Sequence, residues 1–169
     1  MQNLFAWLDF GENTWIVHVF AVVLATVVFN FIMKLSLERL HKKLEQTENL
    51  WDDAVLQAAR KPLALLVWVI GLSIAAEIVQ TVSVNELFEY AGIVRRIAII
   101  LLLMMFLNQL VKNIEETFLE KTKNDEIEAD EITIRVIGRL LRVSVMITAG
   151  LVILQTLGIS VTGVVAFGG

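Results

Sequence analysis

The chain has 169 residues, 57% of them hydrophobic, with a net charge of −4 and no cysteine. Its mean hydropathy is +0.72, and a soluble domain is ~45–50% apolar. The charge is too small and of the wrong sign for a nucleic-acid surface. Without cysteine there are no disulfides, thiolate metal sites or cysteine nucleophiles.

The apolar residues lie in long runs separated by charged stretches, the pattern of membrane spans. Met1–Glu12 carries no Lys or Arg, so a cleavable signal, which needs a basic start, is not expected. The first span is Trp15–Met33, interrupted by His18, Thr26 and Asn30, with Asn13 or Thr14 as its N-cap. Leu37, Leu40, His41 and Leu44 share a face, so this helix is expected to continue past the membrane.

A short second helix is expected from Asn49, with Trp51, Asp52 and Asp53 at its start and Arg60 and Lys61 at its end. Those charges suit the helix dipole. The second span then runs Pro62–Val82, with Pro62 in its first turn. Glu77 in its outer third is expected to snorkel outward. Ser83–Glu86 reads as a capping box for a short helix to Tyr90.

The third run, Ile97–Val111, is entered through Arg95 and Arg96, and Asn108 and Gln109 near its inner end suit helix–helix glue. Lys121–Glu131 is an acidic, exposed turn. The fourth run, Val143–Leu157, is entered through Arg135, Arg139 and Arg142. Their spacing of i, i+4, i+7 puts them on one helix face. They either grip phosphates at the inner leaflet or simply snorkel. Arg95 and Arg96 either grip outer-leaflet headgroups or pair with Glu86 or Glu89.

Twelve of the fourteen cations lie between spans one and two or between spans three and four, and only Arg95 and Arg96 lie on the other side. The positive-inside rule therefore expects both rich loops in the cytoplasm and the N-terminus outside. The fold class is all-α: a polytopic helical bundle of four full spans plus the start of a fifth helix.

The most specific stretch is the end. Thr133–Arg142 (TIRVIGRLLR) leads into a span, and then comes Leu154–Gly169 (LQTLGISVTGVVAFGG). Gly158 is expected to end a helix and permit a sharp reversal. Gly163 and Gly168 would thin the helix beyond it. This stretch resembles the junction between the penultimate span and the pore helix in MscS-like small-conductance mechanosensitive channels of the larger, five-span type. Trp51–Asp53 leading to Arg60–Pro62 is similar to the linker before the second span in those channels.

The resemblance covers about Trp51–Gly169, with only a generic span before it, and four units are expected. They are 1–60, an N-terminal span with a cytoplasmic interfacial helix; 61–94, the second span and outer loop; 95–157, a sensor paddle; and 158–169, the start of a pore-lining helix. Gly158, Ser160, Thr162, Gly163, Phe167, Gly168 and Gly169 would belong to that pore start. The family's pore helix runs on past Gly169 into a β-domain and a vestibule, so the chain is expected to be truncated inside the pore helix.

The resemblance also implies an inner-membrane location, a homo-oligomer (a heptamer in the family), lipid partners and permeating ions. The alternative reading is a non-conducting module that packs against a full-length channel or another membrane partner. No motif for catalysis, cofactor or metal binding stands in the sequence, so neither an enzyme nor a nucleic-acid partner is expected.

Overall fold

The computed structural model describes residues 14–44, 50–81, 90–124, 130–160, 163 and 166, with backbone alone for 41–44 and 50–53. Four helices account for nearly all of them. They are α1 (Thr14–Leu44), α2 (Leu50–Gln80), α3 (Ala91–Lys123) and α4 (Glu131–Thr156). All four are long and apolar enough to cross a membrane. The shortest has 26 residues and the longest 33. At 1.5 Å per residue they reach about 39–50 Å, past a ~30 Å hydrocarbon core. Each therefore carries its apolar run on into a polar extension. α1 continues to Leu44, as its apolar face leads one to expect.

One expectation about α2 is overturned. The charges around Pro62 suggest a short interfacial helix ending before it and a new span starting there. The structure has one helix from Leu50 to Gln80 with Pro62 inside it. Ala54, Ala58 and Pro62 recur every four residues, and all three are buried. That stripe crosses the expected boundary, and Pro62 lines a cavity with Ile99, Leu102 and Phe106 of α3. Tertiary packing carries the helix through the missing N–H, as neighbouring helices permit in membrane bundles.

The helices run up and down, and the extensive contacts join sequence neighbours: α1 with α2, α2 with α3, α3 with α4. The seams are made of small or polar side chains. Ala54, Ala58, Ala75, Ala149, Thr26, Ser73 and Asn113 are buried, and no large side chain among the described residues is fully buried. Large apolar groups point outward, Phe20 at 66% exposed and Phe31 at 67%. This inversion of a soluble core is what a bilayer favours. Lipid tails are as apolar as leucine, so helices gain by close backbone approach instead.

Gly71 brings α1 and α2 close together. A Cβ built on Gly71 would stand 2.8 Å from the Thr26 Cβ. The Thr26 hydroxyl donates to the Val22 carbonyl at 2.7 Å, which satisfies it within its own helix. Asn30, one turn further along the same seam, is 8% exposed, and its Oδ1 has no partner among the described residues.

Candidate functional site: the polar ties of the α2–α3–α4 seams

Antiparallel packing gathers the polar extensions at one end of the bundle. There Arg60 pairs with Glu38 across α1 and α2 at 3.1 Å. Asn113 on α3 is 6% exposed, and its amide donates to the Ala54 carbonyl on α2 at 3.1 Å. Gln109, one turn back, donates to Asn113 Oδ1 at 2.9 Å and so fixes which way that amide points. The glue expected from Asn108 and Gln109 is thus centred on Asn113. Asn108 Oδ1 is buried with no partner among the described residues, beside a cavity lined also by Lys112 and Arg142.

Between α3 and α4 stands the least solvated ion pair. Arg142 Nη1 lies 2.6 Å from Glu115 Oε2, with the side chains 31% and 12% exposed. Gly138, one turn before Arg142, makes room for it. A Cβ there would stand 2.8 Å from the Glu115 Cδ. A charged hydrogen bond this short is about twice as strong as a neutral one.

The three arginines expected to share a role are therefore separated. Arg142 is turned into the hairpin, and Arg135 lies 3.9 Å from Glu131 on its own helix. Arg139 is exposed and has no side-chain partner among the described residues. Arg135 and Arg139 are both exposed, and only Arg142 is drawn into the seam.

At the opposite end, Arg95 donates to Ser73 at 3.1 Å and to Glu77 at 2.5 Å, bridging α3 and α2. Glu77 is thus paired across the seam, in contrast to the outward snorkelling expected of it. Glu86 and Glu89, the other expected partners, lie outside the described residues. Arg95 and Glu77 are 36% and 48% exposed, so the pair itself contributes about 0–1 kcal/mol. Arg96 donates to its own helix, at the Gly92 carbonyl, 3.4 Å away.

The end of α4 follows from its sequence. Leu157 is the C-cap, and Gly158 has φ +84. The Gly158 N–H donates to the Gln155 carbonyl and the Ile159 N–H to the Leu154 carbonyl, both at 3.0 Å. These two bonds make a Schellman turn, and the positive φ is the reason a glycine stands there. Ser160 accepts from the Gly163 N–H at 3.1 Å. Gly163 and Ala166 have helical backbone. Thr162, Phe167, Gly168 and Gly169 lie outside the described residues, as do the side chains of Trp51, Asp52 and Asp53, whose backbone forms the first turn of α2.

The start of α4 is held by Asp130. Its carboxylate accepts from the Ile132 and Thr133 N–H groups at 3.2 and 3.3 Å and from the Thr133 hydroxyl at 3.0 Å. The Ile132 amide, then the Thr133 side chain, hold its pKa below the ordinary value.

Glu115, Gly138, Gly71 and Asn113 are the residues that sequence reasoning missed. The available signal was an isolated glycine inside a helical pattern, which often marks a close approach.

Four spanning helices whose ties are all between small, polar or charged groups define a multi-pass α-helical membrane protein. No family model, curated protein or solved structure matches the chain.

Proposed function

We propose that the chain is the transmembrane sensor portion of a mechanosensitive ion channel of the MscS-like type. It would sit in a bacterial inner membrane as a homo-oligomer, open under tension, and release ions and small solutes during hypo-osmotic shock. The observation that carries this reading is the end of α4. The apolar α3–α4 hairpin ends at Gly158 in a glycine-specific turn, and helical small residues, Gly163 and Ala166, follow. They lie within the LGISVTGVVAFGG stretch that carries the resemblance. The end of the bundle bearing twelve of the fourteen cations would face the cytoplasm.

The mechanism is one of areas. Tension favours whichever state occupies more membrane, as a ligand favours the state it binds better. The α3–α4 hairpin exposes large apolar side chains along α4, such as Leu140 at 62% and Ile147 at 58%. A change in lipid packing therefore acts on this hairpin directly. Its tilt would pass through the turn at Gly158 to the helix beyond.

The test is patch-clamp recording from giant spheroplasts lacking their own mechanosensitive channels. They would express this chain and, separately, this chain continued into a family pore helix and vestibule. Pressure-activated unitary currents from the continued form support the sensor reading. Silence of both forms up to patch rupture refutes it and leaves the non-conducting interaction module.

A further inference from the structure

The polar half of the α3–α4 hairpin raises a question of register. Arg139 and Arg142 stand one turn apart on α4, and Glu115 meets Arg142 from α3. Sliding α4 by three residues would exchange Arg142 for Arg139 as the partner of Glu115, and Arg139 has no other side-chain partner among the described residues. Charge alone therefore does not choose a register.

Gly138 does. The slide that delivers Arg139 to Glu115 also carries Arg135 into the place of Gly138. A Cβ at that place would stand 2.8 Å from the Glu115 Cδ and 3.3 Å from its Cγ. A flexible glutamate usually swings away from such an overlap. Here it is bonded to Arg142 at 2.6 Å, so it retreats only by letting go of the arginine. The ion pair and the space are available together in one register only. An apolar groove of about 380 Å³ lies beside Glu115 and Gly138, lined by Phe118, Ile134, Ile137 and Leu141.

We infer that Gly138, Glu115 and Arg142 form a register latch that makes α3 and α4 move as one body, with an Arg139-paired slip as the alternative state. The inference goes beyond the channel reading and stands independently of it, because it concerns the hairpin alone.

The chain has no cysteine, so a pair of introduced thiols labels cleanly. Leu103→Cys and Ile132→Cys lie at 56% and 70% exposed positions toward opposite ends of the hairpin. The full chain, spin-labelled there, diluted with unlabelled chain and reconstituted in vesicles, is measured by double electron–electron resonance. A one-turn slide changes the distance along the helix axes by about 5 Å. The unaltered seam is expected to give one distance. Gly138→Ala is expected to raise a second, displaced population, moving the register ratio about tenfold, a change of about 1.4 kcal/mol. Arg139→Gln in that background should abolish the displaced population.

Glu115→Asp withdraws the carboxylate by one methylene and relieves the overlap in both registers, so even with Gly138 in place it should raise the displaced population. This variant carries the test by itself if Gly138→Ala loses helix content. A single unshifted distance in Gly138→Ala overturns the latch. So does a displaced population that survives Arg139→Gln, or a single unshifted distance in Glu115→Asp.

Discussion

Replacing Gly71 with alanine tests whether close approach holds the α1–α2 seam. The new methyl would stand 2.8 Å from the Thr26 Cβ and closer still to its Oγ1 and Cγ2. Thr26 cannot turn aside, because the overlap includes its own Cβ and its hydroxyl is bonded to Val22. The helices must therefore separate. Overpacking of this kind costs ~1–3 kcal/mol, and removing a mid-helix glycine returns ~0.5–1 kcal/mol. The expected net loss is ~1–2 kcal/mol, or about fivefold to thirtyfold in the unfolding equilibrium. Reversible unfolding of the full chain in mixed micelles, titrated with a denaturing detergent and followed by circular dichroism, reads it. Adding Thr26→Ala removes two of the three overlapping atoms and should recover part of the loss. A neutral or stabilising Gly71→Ala, or no coupling between the two substitutions, would show that the seam is not held by this contact.

Three further substitutions probe the other ties. Gly158→Ala places an L-residue at φ +84, which costs ~1–2 kcal/mol; amide exchange at Gly158 and Ile159 should speed up about tenfold while exchange in mid-α4 is unchanged. Asn113→Leu removes the donor to the Ala54 carbonyl and the acceptor for Gln109. It should destabilise the α2–α3 seam by ~0.6–1.7 kcal/mol in the same micelle titration. Asp130 has a depressed pKa, so its contribution is fully present above the ordinary value of 3.8 and is lost as pH falls through the lower folded value. Nuclear magnetic resonance of the Ile132 and Thr133 amides should therefore show the first turn of α4 fraying only below pH 3.8, and Asp130→Asn should remove that pH dependence.

The four helices were legible because unbroken apolar runs of span length have few other readings. Their true ends were less so. The extension of α1 could be read from Leu37, Leu40 and Leu44, which repeat at helical spacing. The continuity of α2 through Pro62 could not. Proline lowers local helix preference whatever stands opposite, and Ala58 and Pro62 reveal their common burial only once α3 is in place. The turn at Gly158 was visible because a helix stop is a local event, written in adjacent residues. The ties between helices are not local. Arg95 and Glu77 are separated by 18 positions, and Arg142 and Glu115 by 27. Which acid meets which arginine depends on helix rotation, which apolar periodicity leaves loose when lipid surrounds most of each helix. Gly71 and Gly138 were hidden for the same reason, since a glycine's neighbour lies on another helix.

The order of contacts gives these ties their consequence. Because the extensive packing joins sequence neighbours only, the α3–α4 hairpin is attached to the rest of the bundle along one seam, α2–α3. That seam is fastened near both ends by polar bonds, Arg95 to Ser73 and Glu77 at one and Asn113 to Ala54 at the other. Between them lie small and apolar contacts, which resist sliding weakly in a medium as apolar as themselves. A lateral force on the hairpin therefore has a low-cost response, rotation about the α2–α3 seam with both end ties kept. Distortion within the hairpin is costlier, because it must break the Glu115–Arg142 pair. Under the proposed sensor reading, a body stiff inside and hinged at one edge would pass force to the segment joined to its free edge, where α4 leads into the turn at Gly158.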